Sequence, residues 1–362
     1  MARPLTHTVV VGGIYADVGG TSVVVKWTSE VLYKSMYFDS KPDTGTNERE
    51  DYMATEQWKV GETTISKIEE MNAEFDVVSY VNDYLPTATM EGVNAIDWLK
   101  PTYIHDGKWD LTLQTFLIET PTHKFVIDPG VGNDRERVFP YFNNLQTDYF
   151  KKLTSFWNVD EVDGVFASHI HIDHVGWNTH KVDGKWVPTF KNARYYFVKE
   201  EFEYWQQEVP RLRAAGSTEA DAVATWDDSV QPIIDAGLVT LVDANASLTP
   251  EIRLVPTVGH TIGHTSILVQ SQGESAVITG DMMSGPYQVA RYDWSGDHEY
   301  SLEASNATRQ GFLDRFADTS TVVIGSHFST PAGGHVIREN GTYRFVPVEG
   351  AVPEKDPFAL AH

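Results

Sequence analysis

The sequence predicts an α/β fold in which two β-sheets pack face to face and helices cover the outside. Two observations support this fold class. Strand-like runs alternate with helix-like segments from about residue 58 onwards, and they form two successive sets that divide near residue 200. The 362 residues are 41% hydrophobic and 12% aromatic, which is enough apolar side chain for a substantial core.

The first set begins with a strand-like run over residues 59–68. A hairpin follows, with strands over 111–119 and 124–127 joined by a Pro-Thr-His turn. Helical spacing over 147–157 precedes a strand-like run over 162–168. A short strand over 195–198 and a helix over 199–208 complete the set.

The second set starts with an Ala-rich segment of helical spacing over 214–236. Further strands are predicted over 252–255, 266–270, 276–279 and 321–324, and a helix over 300–316. Strands over 333–338 and 342–346 flank Asn340-Gly341, a strong hairpin signal. We therefore expect a catalytic domain over residues 57–350, preceded by an N-terminal arm (1–56) that packs on the core or on a dimer partner, and followed by a C-terminal tail (351–362).

The amino-acid composition limits the metal ligands and the partners that the protein can have. The chain has no cysteine, so any metal must be bound through nitrogen and oxygen. Its net charge of −23 disfavours nucleic acid, which proteins bind through Lys and Arg. No apolar run approaches the length of a membrane span, and the N-terminus lacks the apolar segment of a signal peptide. We expect a cytoplasmic protein with a small-molecule substrate, no nucleic-acid or membrane partner, and a homodimer as a possible assembly.

Three imidazoles and one carboxylate fall within six residues, His169-Ile170-His171-Ile172-Asp173-His174, after the strand over 162–168. Imidazole and carboxylate are the donors that borderline-soft divalent metals favour. In extended backbone, alternate side chains point the same way, so His169 and His171 can converge on one ion. Asp173 and His174, where the chain turns, can face a second ion.

Three further candidate ligands each follow a strand-like run. His260 lies in Gly259-His260-Thr261-Ile262-Gly263-His264, Asp281 ends Thr279-Gly280-Asp281, and His327 ends Gly325-Ser326-His327. Ligands placed at strand ends can gather along one edge of a sheet sandwich, on rigid supports. The sequence therefore predicts one metal centre built from four separate segments.

Taken together, the motifs His-x-His-x-Asp-His, Gly-His-Thr-x-Gly-His, Thr-Gly-Asp and a late Ser-His resemble those of the metallo-β-lactamase superfamily over about residues 58–348. The resemblance implies a four-layered αββα sandwich with two divalent metal ions, expected to be zinc, between the sheets. It assigns His169, His171 and His260 to the first metal, and Asp173, His174 and His327 to the second. Asp281 would bridge the two ions. Asp173 and Asp281 would be the catalytic carboxylates, with Asp173 holding or moving the nucleophile's proton.

Two further residues are candidates for supporting the ligands by hydrogen bonds. His264 is the second histidine of its motif, which assigns the ligand position to His260. Asp128, in Val-Ile-Asp-Pro-Gly, is either such a supporting acid or a plain turn residue. The remaining histidines that precede the tail lie outside any ligand motif and are expected to be surface or ordinary structural residues: His7, His105, His123, His180, His298 and His335.

The site implies metal-assisted hydrolysis by a bridging hydroxide, acting on a lactone or another carboxylic ester. The layout is most similar to the branch that holds N-acyl-homoserine-lactone lactonases and methyl-parathion-type organophosphate hydrolases. Those lactonases carry a Tyr shortly after the bridging Asp, whereas here the next tyrosine is Tyr287, six residues on. The alternatives are an organophosphate triester hydrolase, a β-lactamase-like amide hydrolase, a mononuclear-iron dioxygenase, a phosphodiesterase and an inactive binding module. The aromatic-rich segments 80–98 and 202–226 are candidates for the pocket wall.

Overall fold

The protein is described by a computed structural model that covers residues 17–18, 21–22, 56–216, 220–296 and 298–348. At the N-terminus, β1 (Asp17–Val18) and β2 (Thr21–Ser22) pair antiparallel. Otherwise the predicted arm, up to residue 55, and the predicted tail lie outside the described residues.

The first large sheet has eight strands. Six of its strands precede the histidine motif at residues 169–174. They are β3 (Gln57–Val60), β4 (Thr63–Asp76), β5 (Ile104–His105), β6 (Lys108–Glu119), β7 (Lys124–Ile127) and β8 (Gly164–Phe166). A separate hairpin, β9 (Thr179–Val182) with β10 (Lys185–Pro188), leads to β11 (Arg194–Val198) and β12 (Val239–Val242). The strand order is β12-β11-β8-β7-β6-β4-β3, with β5 paired to β6.

The second large sheet has six strands in simple order, from β13 to β18. They are β13 (Ile252–Pro256), β14 (Thr265–Ser271), β15 (Glu274–Ile278), β16 (Val322–Ile324), β17 (Gly333–Glu339) and β18 (Thr342–Pro347). The predicted division near residue 200 is wrong, because β12 pairs in parallel with β11 and belongs to the first sheet. The sheets divide between β12 and β13 instead.

Helices connect and cover the strands. They are α1 (Val77–Tyr84), α2 (Met90–Ala95), α3 (Tyr149–Phe156), α4 (Lys199–Ala215), α5 (Ala220–Thr225), α6 (Gln231–Asp235), α7 (Tyr287–Ala290) and α8 (Leu302–Phe316). A π-helical turn, Trp226–Val230, separates α5 from α6, so the predicted helix over 214–236 is divided. No helix within the described part of the chain is both long and apolar enough to cross a lipid bilayer.

Two apolar clusters account for the layers. Along β6, Phe116 and Ile118 join the cluster shared with the second sheet, whereas Leu117 joins the cluster on the opposite face. This alternation follows from the two-residue period of a strand. On that opposite face Leu117 shares its cluster with Leu153 of α3 and Val209 of α4. The predicted four-layered αββα sandwich is confirmed.

Several predicted elements are confirmed, including the β6–β7 and β17–β18 hairpins. The predicted strand over 59–68 is wrong in one respect, since a turn at Gly61 divides it into β3 and β4. Gly61 has φ 57°, and a Cβ atom there would lie 2.5 Å from the carbonyl oxygen of Ser271. The turn therefore requires glycine for both conformation and space.

Candidate metal centre

The predicted ligands lie on loops that follow strands of both sheets. His169 follows β8, His260 follows β13, Asp281 follows β15 and His327 follows β16. The six-residue histidine motif is not extended, because the chain bends at Ser168 and turns from His171 to His174, where the His174 N–H donates to the His171 carbonyl at 3.1 Å. The expectation of extended backbone is therefore wrong, although the side chains still converge.

The first group consists of His169, His171 and His260, whose ligand atoms all lie within 4.8 Å of one another. Nε2 of His260 is 3.1 Å from Nδ1 of His171. The ring centroids of His169 and His171 are 4.4 Å apart. His171 is partly exposed while the other two are buried, so the group opens to solvent on the side of His171.

The second group consists of Asp173, His174, Asp281 and His327. Oδ1 of Asp281 lies 3.1 Å from Nε2 of His174 and 3.0 Å from Nε2 of His327. Its other oxygen, Oδ2, lies 3.6 Å from Nε2 of His260 and 3.9 Å from Nε2 of His169. Asp281 thus presents one carboxylate oxygen to each group.

The donor set fits divalent metal ions. The described residues near the site offer imidazole nitrogen and carboxylate oxygen, which suit zinc and similar metals. Nε2 of His169, Nε2 of His174 and Oδ1 of Asp281 are buried and have no hydrogen-bond partner among the residues that the structure describes. Buried polar atoms in proteins are almost always paired, so unpaired atoms that face one another are what a metal site requires.

The two groups differ in electrostatics. Burial, with the neighbouring imidazole of His260, lowers the pKa of His171 to about 3, and burial likewise lowers the pKa of His169. In the second group burial opposes the charged form, but Asp281 outweighs it and raises the pKa of His327 to about 9. His174 and His327 in turn hold the pKa of Asp281 well below its usual range. His169 and His171 are therefore neutral at neutral pH, whereas Asp281 and His327 in the second group are charged.

Asp128 lies in a turn, and its carboxylate contacts Ser168 and His174. Its φ is 51°, a left-handed turn conformation that Asp tolerates better than most residues. Its Oδ1 accepts the Ser168 N–H at 2.7 Å, and its Oδ2 accepts the Ser168 hydroxyl at 2.9 Å. The same Oδ2 lies 3.2 Å from Nδ1 of His174. The turn thus aims a carboxylate at the back of a predicted ligand.

His264 lies outside both groups. Its Nδ1 is 3.1 Å from the Thr257 carbonyl oxygen, which requires a proton on Nδ1, and its Nε2 accepts the Asp281 N–H at 2.9 Å. His264 therefore orients the backbone that carries Asp281. On the far side of the site, Nδ1 of His327 donates to the Thr112 carbonyl of β6 at 2.9 Å, which turns Nε2 toward the second group.

Glu201, in the first turn of α4, connects two of the ligand loops, and sequence reasoning missed it. Its Oε1 accepts the Ile170 N–H at 3.1 Å and the Trp205 indole N–H at 2.9 Å. Its Oε2 accepts the Gly263 N–H at 2.9 Å. Its sequence neighbour Glu200 is exposed. No sequence signal separates the two acids, because the difference lies in which one faces the loops.

Aromatic side chains border the first group. The Trp205 ring lies 6.1 Å from that of His171, and Tyr204 contacts both Trp205 and Tyr300, the latter at 5.8 Å. The Tyr300 side chain is about half exposed (54%), so this edge faces solvent. His298, expected to be a surface or structural residue, is exposed and lies beside the site, its ring 5.6 Å from that of His260.

The other aromatic segment packs into the core. Tyr80 and Tyr287 are buried, their hydroxyl oxygens are 3.3 Å apart, and both line a small apolar cavity with Trp109 and Trp294. Burial raises the pKa of Tyr80 to about 12. The hydroxyl of Tyr287, the first tyrosine after Asp281, therefore points to Tyr80 within the core.

Comparisons with known proteins identify the family. The metallo-beta-lactamase superfamily model matches residues 113–327. No curated protein matches the chain. Among solved structures, the hydrolase AbOPH of the beta lactamase superfamily is 19% identical and has a TM-score of 0.67, covering 82% of this chain and 98% of its own.

Two further structures share the fold. AidC, a dizinc quorum-quenching lactonase in complex with a product, is 20% identical with a TM-score of 0.65, over 82% of this chain and 98% of its own. A probable metal-dependent hydrolase from Staphylococcus aureus is 18% identical with a TM-score of 0.63, over 82% of this chain and all (100%) of its own. The family model spans more than half of the chain, and the layered fold and clustered ligand residues agree with it. The chain therefore belongs to the metallo-beta-lactamase superfamily of metal-dependent hydrolases.

Proposed function

We propose that this protein is a dinuclear metal-dependent hydrolase that cleaves a lactone or another carboxylic ester of a small molecule. One observation carries the proposal: Asp281 presents Oδ1 to His174 and His327 and Oδ2 to His260 and His169, all within 3.9 Å. A carboxylate between two nitrogen-rich groups is the arrangement expected of a ligand shared by two ions. A single-metal site, as in the dioxygenase alternative, has no need of the second group.

The chain's own residues then have distinct roles. His169, His171 and His260 would hold one ion, Asp173, His174 and His327 the other, and Asp281 both. Two ions bound there, which we expect to be zinc, would lower the pKa of a bound water toward neutrality and polarise the carbonyl of an ester. The supporting contacts of Asp128 and His264 keep the ligands oriented.

Asp173 is the residue best placed to move a proton. Its Oδ2 lies 3.6 Å from Nε2 of both His174 and His327, and the residue is partly exposed. Its other oxygen, Oδ1, can therefore accept the proton of the attacking water and return it to the leaving alkoxide. This role needs no nucleophilic serine or cysteine.

The apolar part of the substrate would lie against the aromatic edge formed by Tyr204, Trp205 and Tyr300. This edge is next to His171, the partly exposed member of the first group. Pockets for small ligands are typically apolar with a few polar anchors. The fold shared with a dizinc lactonase supports an ester as the scissile group, and the acidic chain disfavours a polyanionic substrate.

The test is to load the protein with zinc, count the metals by mass spectrometry, and screen it on lactones, aryl esters, phosphotriesters and β-lactams. We expect two zinc ions per chain and the highest kcat/KM on a lactone or aryl ester. One iron per chain with oxygen uptake would overturn the proposal in favour of a dioxygenase. Preference for a phosphotriester or a β-lactam would keep the hydrolase and overturn the ester assignment.

A further inference from the structure

A buried ion pair lies directly behind His260. Glu299 stands in the loop between α7 and α8, and Arg309 stands on α8. Both side chains are completely buried (0% exposed), and the Arg309 guanidinium donates to Oε1 of Glu299 at 2.9 Å. Neither residue lies in the sequence motifs that contain the predicted ligands, although Glu299 lies with His260 and His298 in a third group of potential metal donors.

The Glu299 carboxylate lies near Nδ1 of His260, the ring nitrogen that points away from the candidate metal site. Its Oε2 lies 3.4 Å from Nδ1 of His260, and among the described residues Nδ1 has no hydrogen-bond partner. The opposite nitrogen, Nε2, faces His171 and Asp281. A proton on Nδ1, on the side where the carboxylate lies, leaves the lone pair of Nε2 free for a metal.

Hydrogen bonds from neighbouring side chains hold the Glu299 carboxylate beside His260. The Ser305 hydroxyl donates to Oε2 at 2.8 Å. Arg309 also donates to the Tyr292 carbonyl at 2.8 Å and to the Met282 carbonyl at 3.0 Å. Because Met282 directly follows Asp281, one guanidinium connects the support of His260 to the segment that carries the shared carboxylate.

Backbone hydrogen bonds also join the segment that follows Glu299 to the His260 loop. The Tyr300 N–H donates to the His260 carbonyl at 3.0 Å, and the Ser301 N–H donates to the Gly259 carbonyl at 2.9 Å. The chain after Glu299 thus runs beside the His260 loop, and these bonds keep the Glu299 backbone close to that loop.

We propose that Glu299, held by Arg309, is a positioning residue that sets the tautomer and ring orientation of His260 for metal binding. The inference rests on the metal centre proposed above. Histidine ligands commonly donate their second ring nitrogen to a carboxylate or carbonyl, and loss of that partner weakens metal binding by about 10- to 100-fold. The competing explanation is that Glu299 only neutralises the buried Arg309 and acts on stability alone.

The experiment uses Glu299→Gln, which keeps the size of the side chain but can turn an N–H₂ group toward Nδ1 of His260. Glu303→Gln is the matched control, because Glu303 is exposed in the first turn of α8 and the substitution removes the same charge nearby. Zinc affinity is measured by competition with a chromogenic chelator on folded protein, and the cobalt-substituted proteins are compared by visible absorption. Thermal unfolding of the metal-free proteins is recorded separately.

We expect Glu299→Gln to weaken one of two zinc-binding steps by about 10- to 100-fold and to change the cobalt spectrum, while Glu303→Gln changes neither. Should Glu299→Gln fail to fold, Ser305→Ala, which removes one hydrogen bond to the carboxylate, replaces it and should weaken the same step less. Wild-type affinity for both zinc ions in a destabilised Glu299→Gln protein, or in Ser305→Ala, would overturn the positioning role. These readouts do not depend on ester hydrolysis, so they would stand even if the proposed substrate class were wrong.

Discussion

Replacing Glu201 with Ala should destabilise the metal-free protein, because this carboxylate is the shared acceptor of two ligand loops. The residue is buried (1% exposed), and it accepts the backbone N–H groups of Ile170 and Gly263. Both of these residues are buried too. Without the carboxylate, neither N–H has a partner in the structure.

The size of the effect follows from those two donors. A buried donor left unpaired costs about 1–3 kcal/mol. The third donor, the indole of Trp205, is partly exposed and can turn to water at small cost. Relief of the desolvated charge of Glu201 offsets part of the loss. The net decrease in the free energy of unfolding should be about 2–4 kcal/mol, which lowers Tm by roughly 2–4 °C per kcal/mol in a domain of this class.

Urea unfolding of the metal-free proteins, followed by far-ultraviolet circular dichroism, measures this difference. Glu200→Ala is the matched control, since Glu200 is the exposed neighbour in the same first turn of α4 and has the same relation to the helix dipole. We expect the control to remain within about 0.5 kcal/mol of wild type. Equal unfolding midpoints for the two variants would refute the reasoning that Glu201 joins the loops.

Three other predictions follow from the same geometry. Asp281→Ala should abolish turnover and reduce bound metal, measured by steady-state kinetics and mass spectrometry; full metal content with unchanged turnover would contradict the shared-ligand role. Gly263→Ala should destabilise by at least about 2 kcal/mol in urea, because its Cβ would lie 2.5 Å from the Glu201 backbone nitrogen; a midpoint equal to wild type would contradict the clash. Although burial opposes it, Asp281 raises the pKa of His327 from 6.5 to about 9. The proton on His327 therefore stabilises the metal-free fold fully below pH 6.5, and this contribution is lost as the pH rises through about 9. Zinc must displace that proton, so binding should weaken as the pH falls below 9 and release protons, and calorimetric heats that are independent of buffer ionisation would contradict it.

The clustering of the candidate ligand residues could be predicted from sequence because the segments that carry them are short motifs that follow strands. His169, His260, Asp281 and His327 follow β8, β13, β15 and β16, and strand ends bring them to one edge. The sheet boundary was misplaced for the opposite reason. β12 joins the first sheet by parallel pairing with β11, and a parallel partner is separated by a long connection that local patterns do not encode.

The turn at Asp128 shows why a sequence pattern predicts a conformation more readily than the contacts of a side chain. Asp-Pro-Gly is a turn signal, and the left-handed φ of 51° agrees with it. The same conformation directs the carboxylate to Ser168 and His174, which lie some 40 residues or more along the chain. Local propensity predicts the turn, but only the packing of β7 beside β8 determines what the side chain meets.

Glu201 and Glu299, the two acids that support the ligand loops, could not be found from sequence motifs. Their contacts also indicate how the two groups of the site differ. Glu201 reaches Ile170 and Gly263 across 31 and 62 residues, and Glu299 reaches His260 from a loop outside any motif. Glu299 acts on the His260 loop of the first group, whereas Glu201 also acts on the loop from His169 to His174, which carries residues of both groups. The second group is also supported through Asp128, in the turn that directly follows β7, and through the Thr112 carbonyl of β6. Loss of Glu299 should therefore weaken metal binding at the first group more than at the second, since the second group is supported from β6 and from the turn after β7, which the core already holds in place.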